Sequence, residues 1–261
     1  MATAPLLSLP EGEAHLWYVR EDQVKEPLLL ARYDALLAPD ERVRRDRYRF
    51  EKNRHEYLLT RALIRTVLSR YAPVAPAAWT FSANDHGCPA VATPDDARWL
   101  RFNLTNTAGL VACLVARDRD VGVDVEDIER HGETVQIADR FFSPIEVAEL
   151  KTQPEARQRA RFFDYWTLKE AYIKARGLGL AIPLDHFSYL LTEGRPIGIA
   201  FAPELPDDPA SWQFAQHHPT PQHLVSLAIR RRNEPDLRLV VRRTIPLLPS
   251  AEGIEPLRSR P

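Results

Sequence analysis

Apolar residues recur with helical spacing in two long segments of the chain. Between residues 55 and 71 they return every three or four positions, which predicts an amphipathic helix ended by the prolines that follow. A second long helix is predicted over residues 158–175, because Gly177 and Gly179 come directly after it. Shorter helical segments are predicted from residue 38 into the charged run 42–54, over residues 138–140 and over residues 144–150.

Runs of apolar and β-branched residues, bounded by turn-forming residues, predict strands. They cover residues 15–19, 79–82, 101–104, 110–115, 121–128, 187–191, 197–201, 212–216 and 224–229. Because strands and helices do not alternate strictly, the order favours an α+β fold over a doubly wound sheet. The proline-rich end of the chain, from residue 246 onward, is expected to be a loosely held tail.

The composition indicates a folded globular protein. The chain has 261 residues, which suggests one or two domains, and 44% of them are hydrophobic while 27% are charged. A net charge of -1 argues against a protein that binds nucleic acid mainly through bulk electrostatics. Cys88 and Cys113 are too few for a disulfide framework and lack the paired spacing of a zinc site.

The beginning of the chain does not resemble a targeting segment. Residues 1–17 lack a basic region, and prolines interrupt their apolar stretch, so no signal peptide is expected. A run of 18 apolar residues occurs nowhere, so no membrane span is expected. We therefore expect a cytoplasmic protein with no membrane partner.

Two carboxylates share one face of the strand predicted at 121–128. Alternation places the valines on one face and Asp124 with Glu126 on the other. Two such acids can share Mg²⁺, which accepts one or two protein carboxylates together with phosphate oxygens. The plain alternative is a half-exposed strand whose acids face water, and for an isolated pair this alternative is favoured.

A third carboxylate lies in the second long helix. Trp166, Glu170 and Lys174 are spaced by four residues and therefore share one stripe. The plain interpretation is an ordinary Glu-to-Lys helix pair worth about 0.2–0.5 kcal/mol. With Asp124 and Glu126, however, these residues form a plausible magnesium–phosphate constellation. The same spacing would suit a metal-dependent nuclease.

The complete strings around these residues decide between the alternatives. Residues 122–130, GVDVEDIER, and 163–180, FDYWTLKEAYIKARGLGL, closely resemble the two signature motifs of the Sfp-type 4'-phosphopantetheinyl transferase family. The segment that connects them, which includes residues 140–146, is also similar to that family. Upstream similarity follows the family order at residues 37–42, 61–65, 81–89 and 102–107, so the resemblance covers roughly residues 15–230.

This resemblance implies both a fold and a reaction. Family members are pseudo-dimers of two similar α+β halves, with coenzyme A bound in the cleft between them. Here the halves would be residues 1–120 and 121–245, followed by a tail over 246–261. The implied enzyme moves the 4'-phosphopantetheine arm of coenzyme A onto a serine of an apo acyl or peptidyl carrier protein and releases 3',5'-ADP. A chain that carries both halves is expected to act as a monomer.

The resemblance also implies roles for the candidate residues. Asp124, Glu126 and Glu170 would hold Mg²⁺ against the pyrophosphate. Glu170, directly or through a metal-bound water, would accept the serine proton. Lys174 would stabilise the leaving phosphate oxygen, and Lys169 would contact the phosphates or the pantetheine arm.

Coenzyme A needs further contacts for its 3'-phosphate and adenine. By position in the family pattern, Arg44 and the helix face formed by Arg54, Arg61 and Arg65 are the phosphate candidates, since guanidinium groups suit phosphate. Structural ion pairs are an equally weighted interpretation for one or two of these arginines.

Two segments depart from the family pattern. Residues His86, Gly87, Cys88 and Pro89 occupy the position of the family's Gly-Lys-Pro turn near the adenine, and Cys88 replaces the usual lysine. In the segment that contains Thr105, which should contact coenzyme A, Asn106 stands where relatives usually carry a phosphate-binding histidine. An amide donates hydrogen bonds but carries no charge at any pH.

These departures favour the main alternative, a coenzyme-A- or carrier-binding protein with weakened turnover. The three carboxylates and Lys174 argue against it, because a silent pocket needs no complete metal site. A magnesium nuclease would need a basic groove, which the net charge does not indicate. The resemblance implies a carrier of fatty-acid, polyketide or nonribosomal-peptide synthesis.

Overall fold

Two β-sheets packed face to face form the centre of the molecule, in a computed structural model that describes residues 5–232 and 234–258. The strands are β1 (Glu13–Arg20), β2 (Thr80–Ala83), β3 (Pro89–Thr93), β4 (Leu100–Thr107), β5 (Leu110–Arg117), β6 (Val121–Asp127), β7 (Phe187–Leu190), β8 (Gly198–Phe201), β9 (Trp212–Thr220), β10 (His223–Arg230), β11 (Arg238–Arg243) and β12 (Gly253–Glu255). The α-helices are α1 (Pro27–Leu36), α2 (Pro39–Asp46), α3 (Glu51–Leu68), α4 (Ala138–Phe141), α5 (Pro144–Thr152) and α6 (Glu155–Arg176).

The first sheet has the strand order β12-β11-β1-β5-β4, and the second has the order β6-β10-β9. Pairing within both sheets is antiparallel, except that β1 runs parallel to β11. Strands β2 with β3 and β7 with β8 form two separate two-stranded sheets. The architecture is therefore mixed α+β, as the sequence predicts.

The space between the two large sheets is filled by apolar side chains from alternate strand positions. Strand β6 contributes its valines to this layer, at positions 121, 123 and 125. The opposite face of β6 therefore carries Asp124 and Glu126, as the alternation along the strand predicts.

The outer face of each sheet is covered by a long helix with its own apolar core. Helix α3 packs on the first sheet and helix α6 on the second. The order of elements is the same around both helices: one strand, helices ending in the longest one, a hairpin, and two paired strands.

Helix α6 approaches β6 very closely at Gly122. A Cβ atom on Gly122 would lie 2.0 Å from the carbonyl oxygen of Ala171 and 2.5 Å from the backbone nitrogen of Ala175. Only glycine fits at this contact, and the small Ala171 and Ala175 complete it. The close approach sets the distance between the polar face of β6 and the helix that carries Glu170 and Lys174.

The structure corrects the expectation of a loose tail after residue 246. Strand β12 pairs with β11, and the Tyr18 hydroxyl donates to Glu255 at 2.5 Å. The backbone N–H of Arg258 donates to His217 Nδ1 at 2.9 Å, which ties this segment to β9 of the second sheet. Sequence reasoning missed these contacts because β12 is only three residues long and the proline-rich sequence around it has no strand periodicity. Residues 259–261 of the expected tail lie outside the described residues.

Strand β11 also changes how the two predicted halves relate to the sheets. It belongs by sequence to the predicted half 121–245, yet it pairs with β1 of the first sheet. The chain also forms α1 and β3, which the sequence pattern does not predict, and helix α3 begins four residues before its predicted start. Within residues 5–232 and 234–258, no helix has the length and apolar character needed to span a membrane.

Candidate active site

Asp124 and Lys174 form an ion pair at the seam between the two sheets, where edge strand β4 of the first sheet meets edge strand β6 of the second. Lys174 Nζ donates to Asp124 Oδ1 at 2.6 Å, and also to the carbonyl of Val123 and to Thr105 Oγ1, both at 3.3 Å. Asp124 is 6% exposed. Helix α6 supplies the lysine and β6 the carboxylate, so this pair depends on the contact at Gly122 described above.

Strands β4 and β6 are joined at this seam by side chains of β4, which accept hydrogen bonds from backbone N–H groups of β6. Asn103 Oδ1 accepts the N–H of Val123 at 3.1 Å, and Thr105 Oγ1 accepts the N–H of Val125 at 3.2 Å. The Thr105 hydroxyl also donates to Asp124 Oδ1 at 3.3 Å. Sequence reasoning missed Asn103, although its spacing of two from Thr105 places both on one face of the strand.

Glu126 and Glu170 complete the group of carboxylates. Burial, with the nearby Asp124 carboxylate, raises the pKa of Glu126 to about 7, although Arg130 at 3.1 Å counteracts this. Burial and Asp124 also raise the pKa of Glu170, against the opposing charge of Lys174. Two buried carboxyl groups whose pKa is raised beside the Asp124 carboxylate are short of compensating positive charge.

The carboxylates of Asp124, Glu126 and Glu170 are suitable ligands for a divalent cation, although they are too far apart in this structure to coordinate one ion together. Asp124 Oδ2 is buried and, among the described residues, has no hydrogen-bond partner. An orphaned carboxylate oxygen beside two further acids is the chemistry that Mg²⁺ accepts. Within the described ranges, however, no three histidine, cysteine or acidic side chains lie close enough to hold a metal ion.

The structure contradicts the expectation that Lys169 contacts coenzyme A. Its side chain is fully buried, lies 2.8 Å from Glu146 Oε2, and donates to the carbonyls of Leu184 and Phe187 at 2.6 and 2.7 Å. An ammonium group has three donors, and all three are used inside the protein. Sequence reasoning missed Glu146, which lies on α5 and is itself fully buried. Lys169 is therefore a structural residue.

Two of the arginines that are predicted to bind phosphate instead form ion pairs within the protein. Arg65 is 1% exposed, pairs with Glu41 at 2.8 Å, and donates to the carbonyls of Pro76 and Trp79. Arg61 Nε donates to the other oxygen of Glu41 at 2.6 Å. The equally weighted alternative of structural ion pairs therefore applies to both, and the missed partner is Glu41 on α2.

The remaining basic candidates are more accessible. Arg44 is exposed, with its guanidinium 5.9 Å from the centre of the Tyr57 ring. Arg54 is half-buried and donates to the carbonyl of Tyr48 at 2.8 Å. We therefore retain these two as phosphate candidates.

The turn at residues 84–89 packs against the end of helix α6. Asn84 Oδ1 accepts the N–H groups of His86 and Cys88, and Asn84 Nδ2 donates to the carbonyl of Gly177 at 2.6 Å. His86 and Gly87 are exposed, Pro89 is half-buried, and the φ of Gly87 is +83°. The turn therefore lies one turn of α6 beyond Lys174.

Thr105 and Asn106 occupy opposite sides of β4. Thr105 is 6% exposed and its hydroxyl is fully used in the contacts above, so the structure does not support it as a direct ligand of coenzyme A. Asn106 is exposed and open to solvent.

A lysine and three carboxylates lie near the contact between the two sheets of this α+β protein. Such side chains are typical of enzymes that act on phosphate compounds with the help of a divalent cation. The family model described as the 4'-phosphopantetheinyl transferase superfamily matches residues 120–228. The chain is 34% identical over 211 residues to 4'-phosphopantetheinyl transferase HetI of Nostoc sp., which covers 78% of this chain and 87% of the relative. The chain therefore belongs to this superfamily and is a transferase.

Two further relatives are matched. The 4'-phosphopantetheinyl transferase Sfp of Bacillus subtilis is 31% identical over 176 residues, which is 67% of this chain and 74% of the relative. A crystal structure of Thermotoga maritima holo-[acyl-carrier-protein] synthase is matched with a TM-score of 0.35 and 22% identity, over 46% of this chain and 65% of that chain. At this TM-score the structural match adds nothing to the sequence relationship.

Proposed function

We propose that this protein transfers the 4'-phosphopantetheine arm of coenzyme A to a serine hydroxyl of an apo acyl or peptidyl carrier protein, in a Mg²⁺-dependent reaction. The observation that carries the proposal is the Asp124–Lys174 pair with Glu126 and Glu170 beside it, at the seam between the sheets. The relatives named above supply the reaction class, and this group of side chains has the chemistry that such a reaction needs.

The proposed step breaks the phosphoanhydride bond of coenzyme A and forms a phosphodiester on the carrier serine. The serine oxygen attacks the phosphorus that carries the pantetheine arm, and the bond from that phosphorus to the bridging oxygen of the pyrophosphate breaks. The bridging oxygen leaves with 3',5'-ADP. The serine proton passes to Glu170, directly or through a water, because a raised pKa makes this carboxylate a better proton acceptor near neutral pH. The Lys174 ammonium stabilises the negative charge on the leaving phosphate.

Asp124, Glu126 and Glu170 are the residues that would hold Mg²⁺. When bound, the cation would neutralise charge on the pyrophosphate as the bond breaks. Asp124 presents Oδ2 for this purpose, since Oδ1 is engaged by Lys174 and Thr105.

The substrate is proposed to lie across the two halves of the molecule. The repeated order of elements around α3 and α6 supports two related halves, with coenzyme A between them. Its phosphates would be met by Arg44, Arg54 and Asn106, and its adenine by the turn containing His86, Gly87 and Pro89. We further propose that the protein acts as a monomer in the cytoplasm.

The test is incubation of the purified protein with coenzyme A, Mg²⁺ and several apo carrier proteins. Intact-protein mass spectrometry should show a gain of the phosphopantetheine mass on a carrier, and none on a carrier whose acceptor serine is replaced by alanine. EDTA should abolish the reaction and added Mg²⁺ should restore it. Unmodified carriers under all conditions, or full activity in EDTA with no residual metal, would contradict the proposal.

A second candidate function is binding of coenzyme A or a carrier with little turnover. It is favoured by Asn106, which replaces the usual histidine, and by Cys88, whose half-buried side chain stands where relatives carry a cation. Tight calorimetric binding of coenzyme A without any carrier modification would favour this candidate.

A further inference from the structure

The Thr105 hydroxyl joins three parts of the candidate site. It accepts the N–H of Val125 on β6, accepts a proton of Lys174 on α6, and donates to Asp124 Oδ1. A hydroxyl has one donor and two acceptor positions, and here all three are used. Because Thr105 lies on β4, its side chain links the first sheet to the Asp124 carboxylate and the Lys174 ammonium group of the second half of the site.

Asn103 provides an internal comparison for Thr105. Its side chain accepts the N–H of Val123 in the same way that Thr105 accepts the N–H of Val125. Both residues are buried, at 4% and 6% exposure, and both link β4 to the backbone of β6. Of these two residues, only Thr105 also forms hydrogen bonds with Asp124 and Lys174.

We propose that Thr105 is a positioning residue for the transfer reaction, an inference that rests on the proposed function. Its hydroxyl fixes the rotation of the Asp124 carboxylate and provides one of the three acceptors of the Lys174 ammonium. Oδ1 of Asp124 is thereby directed toward Lys174, and Oδ2 is left for another ligand. Without the hydroxyl, the carboxylate can rotate and the ammonium can leave the position from which it meets the leaving phosphate.

The experiment compares Thr105→Val with Asn103→Leu. Each variant removes one acceptor of a β6 N–H while it retains a branched side chain, but only the first removes the contacts to Asp124 and Lys174. Thr105→Val should lower kcat by roughly 10- to 100-fold, the range expected when reacting groups are misplaced by an ångström or less. Asn103→Leu should change kcat by less than about threefold, and the KM for coenzyme A should stay similar in both variants. Equal loss of kcat in the two variants would overturn the proposal.

Thr105→Ser restores the hydroxyl and should restore kcat to within about threefold of the parent protein. Thr105→Cys is a second variant for the case that the valine variant does not fold. Its thiol is similar in size to the hydroxyl but forms only weak hydrogen bonds, so its kcat should lie between those of Thr105→Val and the parent protein. Thermal unfolding of all four variants confirms that folded protein is compared. In a Lys174→Ala background, the Thr105→Val penalty should shrink to less than about threefold, and an undiminished penalty would count against the proposal.

The outcome separates this inference from the proposed function. If Lys174→Ala and Glu170→Gln leave carrier modification intact, the assigned site is wrong and the positioning role falls with it. If those two variants are inactive while Thr105→Val matches Asn103→Leu, the proposed function stands and only the role of Thr105 is overturned.

Discussion

Glu170 and Lys174 lie one helical turn apart on α6, and the proposed reaction gives them different tasks. Glu170→Gln keeps the shape but removes a carboxylate that would hold the metal or accept the proton. Turnover should fall by about 100-fold or more, while coenzyme A binding changes much less. Lys174→Ala should lower kcat by roughly two orders of magnitude, since it removes the charge that faces the leaving phosphate.

Two matched controls accompany these variants. Glu155→Gln changes an exposed acid at the start of the same helix, and Lys25→Ala changes an exposed lysine elsewhere in the first half. Both should retain parental rates of carrier modification. Parental rates for Glu170→Gln or Lys174→Ala would mean that α6 has only a structural role.

Asn106 offers a direct test of the assigned phosphate contacts. Asn106→His should tighten coenzyme A binding, and the gain should grow as the pH falls and the imidazole becomes charged. A charged hydrogen bond to phosphate contributes about 1.5–3 kcal/mol at best, and less at an exposed position such as this one. Isothermal titration calorimetry between pH 5.5 and 8, for both proteins, measures the difference, in the range where imidazole titrates. Equal affinities at every pH would place Asn106 away from the phosphates.

At the scale of elements, the site depends on how closely β6 approaches α6. Gly122→Ala would place a methyl group against the backbone of Ala171 and Ala175, so the strand and the helix must separate. The free energy of unfolding should fall by about 1–3 kcal/mol, as in other overpacked cores, and kcat should fall with it.

Gly12→Ala is the control, because none of the described residues comes within 4 Å of a Cβ there. Chemical denaturation should show Gly12→Ala within about 0.5 kcal/mol of the parent protein, and equal stability of both variants would contradict this account of the contact.

The parts of the site that the sequence predicts are those set by local periodicity. Alternation along β6 predicts the shared face of Asp124 and Glu126, and four-residue spacing predicts the stripe with Glu170 and Lys174. In the structure, Trp166, Glu170 and Lys174 are partly exposed while most of their neighbours on α6 are buried.

The parts that could not be predicted depend on partners distant in sequence. Lys169 adjoins Glu170, and only its burial against Glu146 on another helix reveals that it does not face the ligand. The same holds for Arg61 and Arg65, whose charge is compensated by Glu41. Helical spacing shows which residues share a face, but it does not show what packs against that face.

At the scale of the whole molecule, the C-terminal segment connects the two sheets through His217. Burial lowers the pKa of His217 to about 4, from an ordinary value near 6.5, against the opposing charge of Glu255. Between these values the unfolded chain binds the proton and the folded chain does not. His217 therefore contributes stability above pH 6.5 that is lost progressively as the pH falls toward 4.

Urea unfolding at intervals between pH 7 and pH 4.5 measures this contribution. His217 should contribute to the free energy of unfolding of the parent protein a loss of up to about 1.4 kcal/mol per pH unit as the pH falls through this window. Glu126 and Glu170 oppose this loss, because their raised pKa values make the folded chain bind protons before the unfolded chain does. Comparison with His217→Gln, which can still accept the N–H of Arg258, isolates the His217 contribution, and the variant should lose less stability than the parent protein as the pH falls. Identical slopes for the two proteins would rule out His217 as the source.

The parallel pairing of β1 with β11 has a consequence for biosynthesis. During translation β1 pairs with β5 once β5 has emerged from the ribosome, but its other edge has no partner until β11 has been made as well. An unpaired strand edge is a template for wrong association, and nascent chains fold from the N-terminus onward. The period between emergence of β5 and completion of β11 is therefore when the nascent chain is most exposed to aggregation. Chaperone demand should be concentrated there, and fragments that end before residue 238 should be less soluble than the full chain.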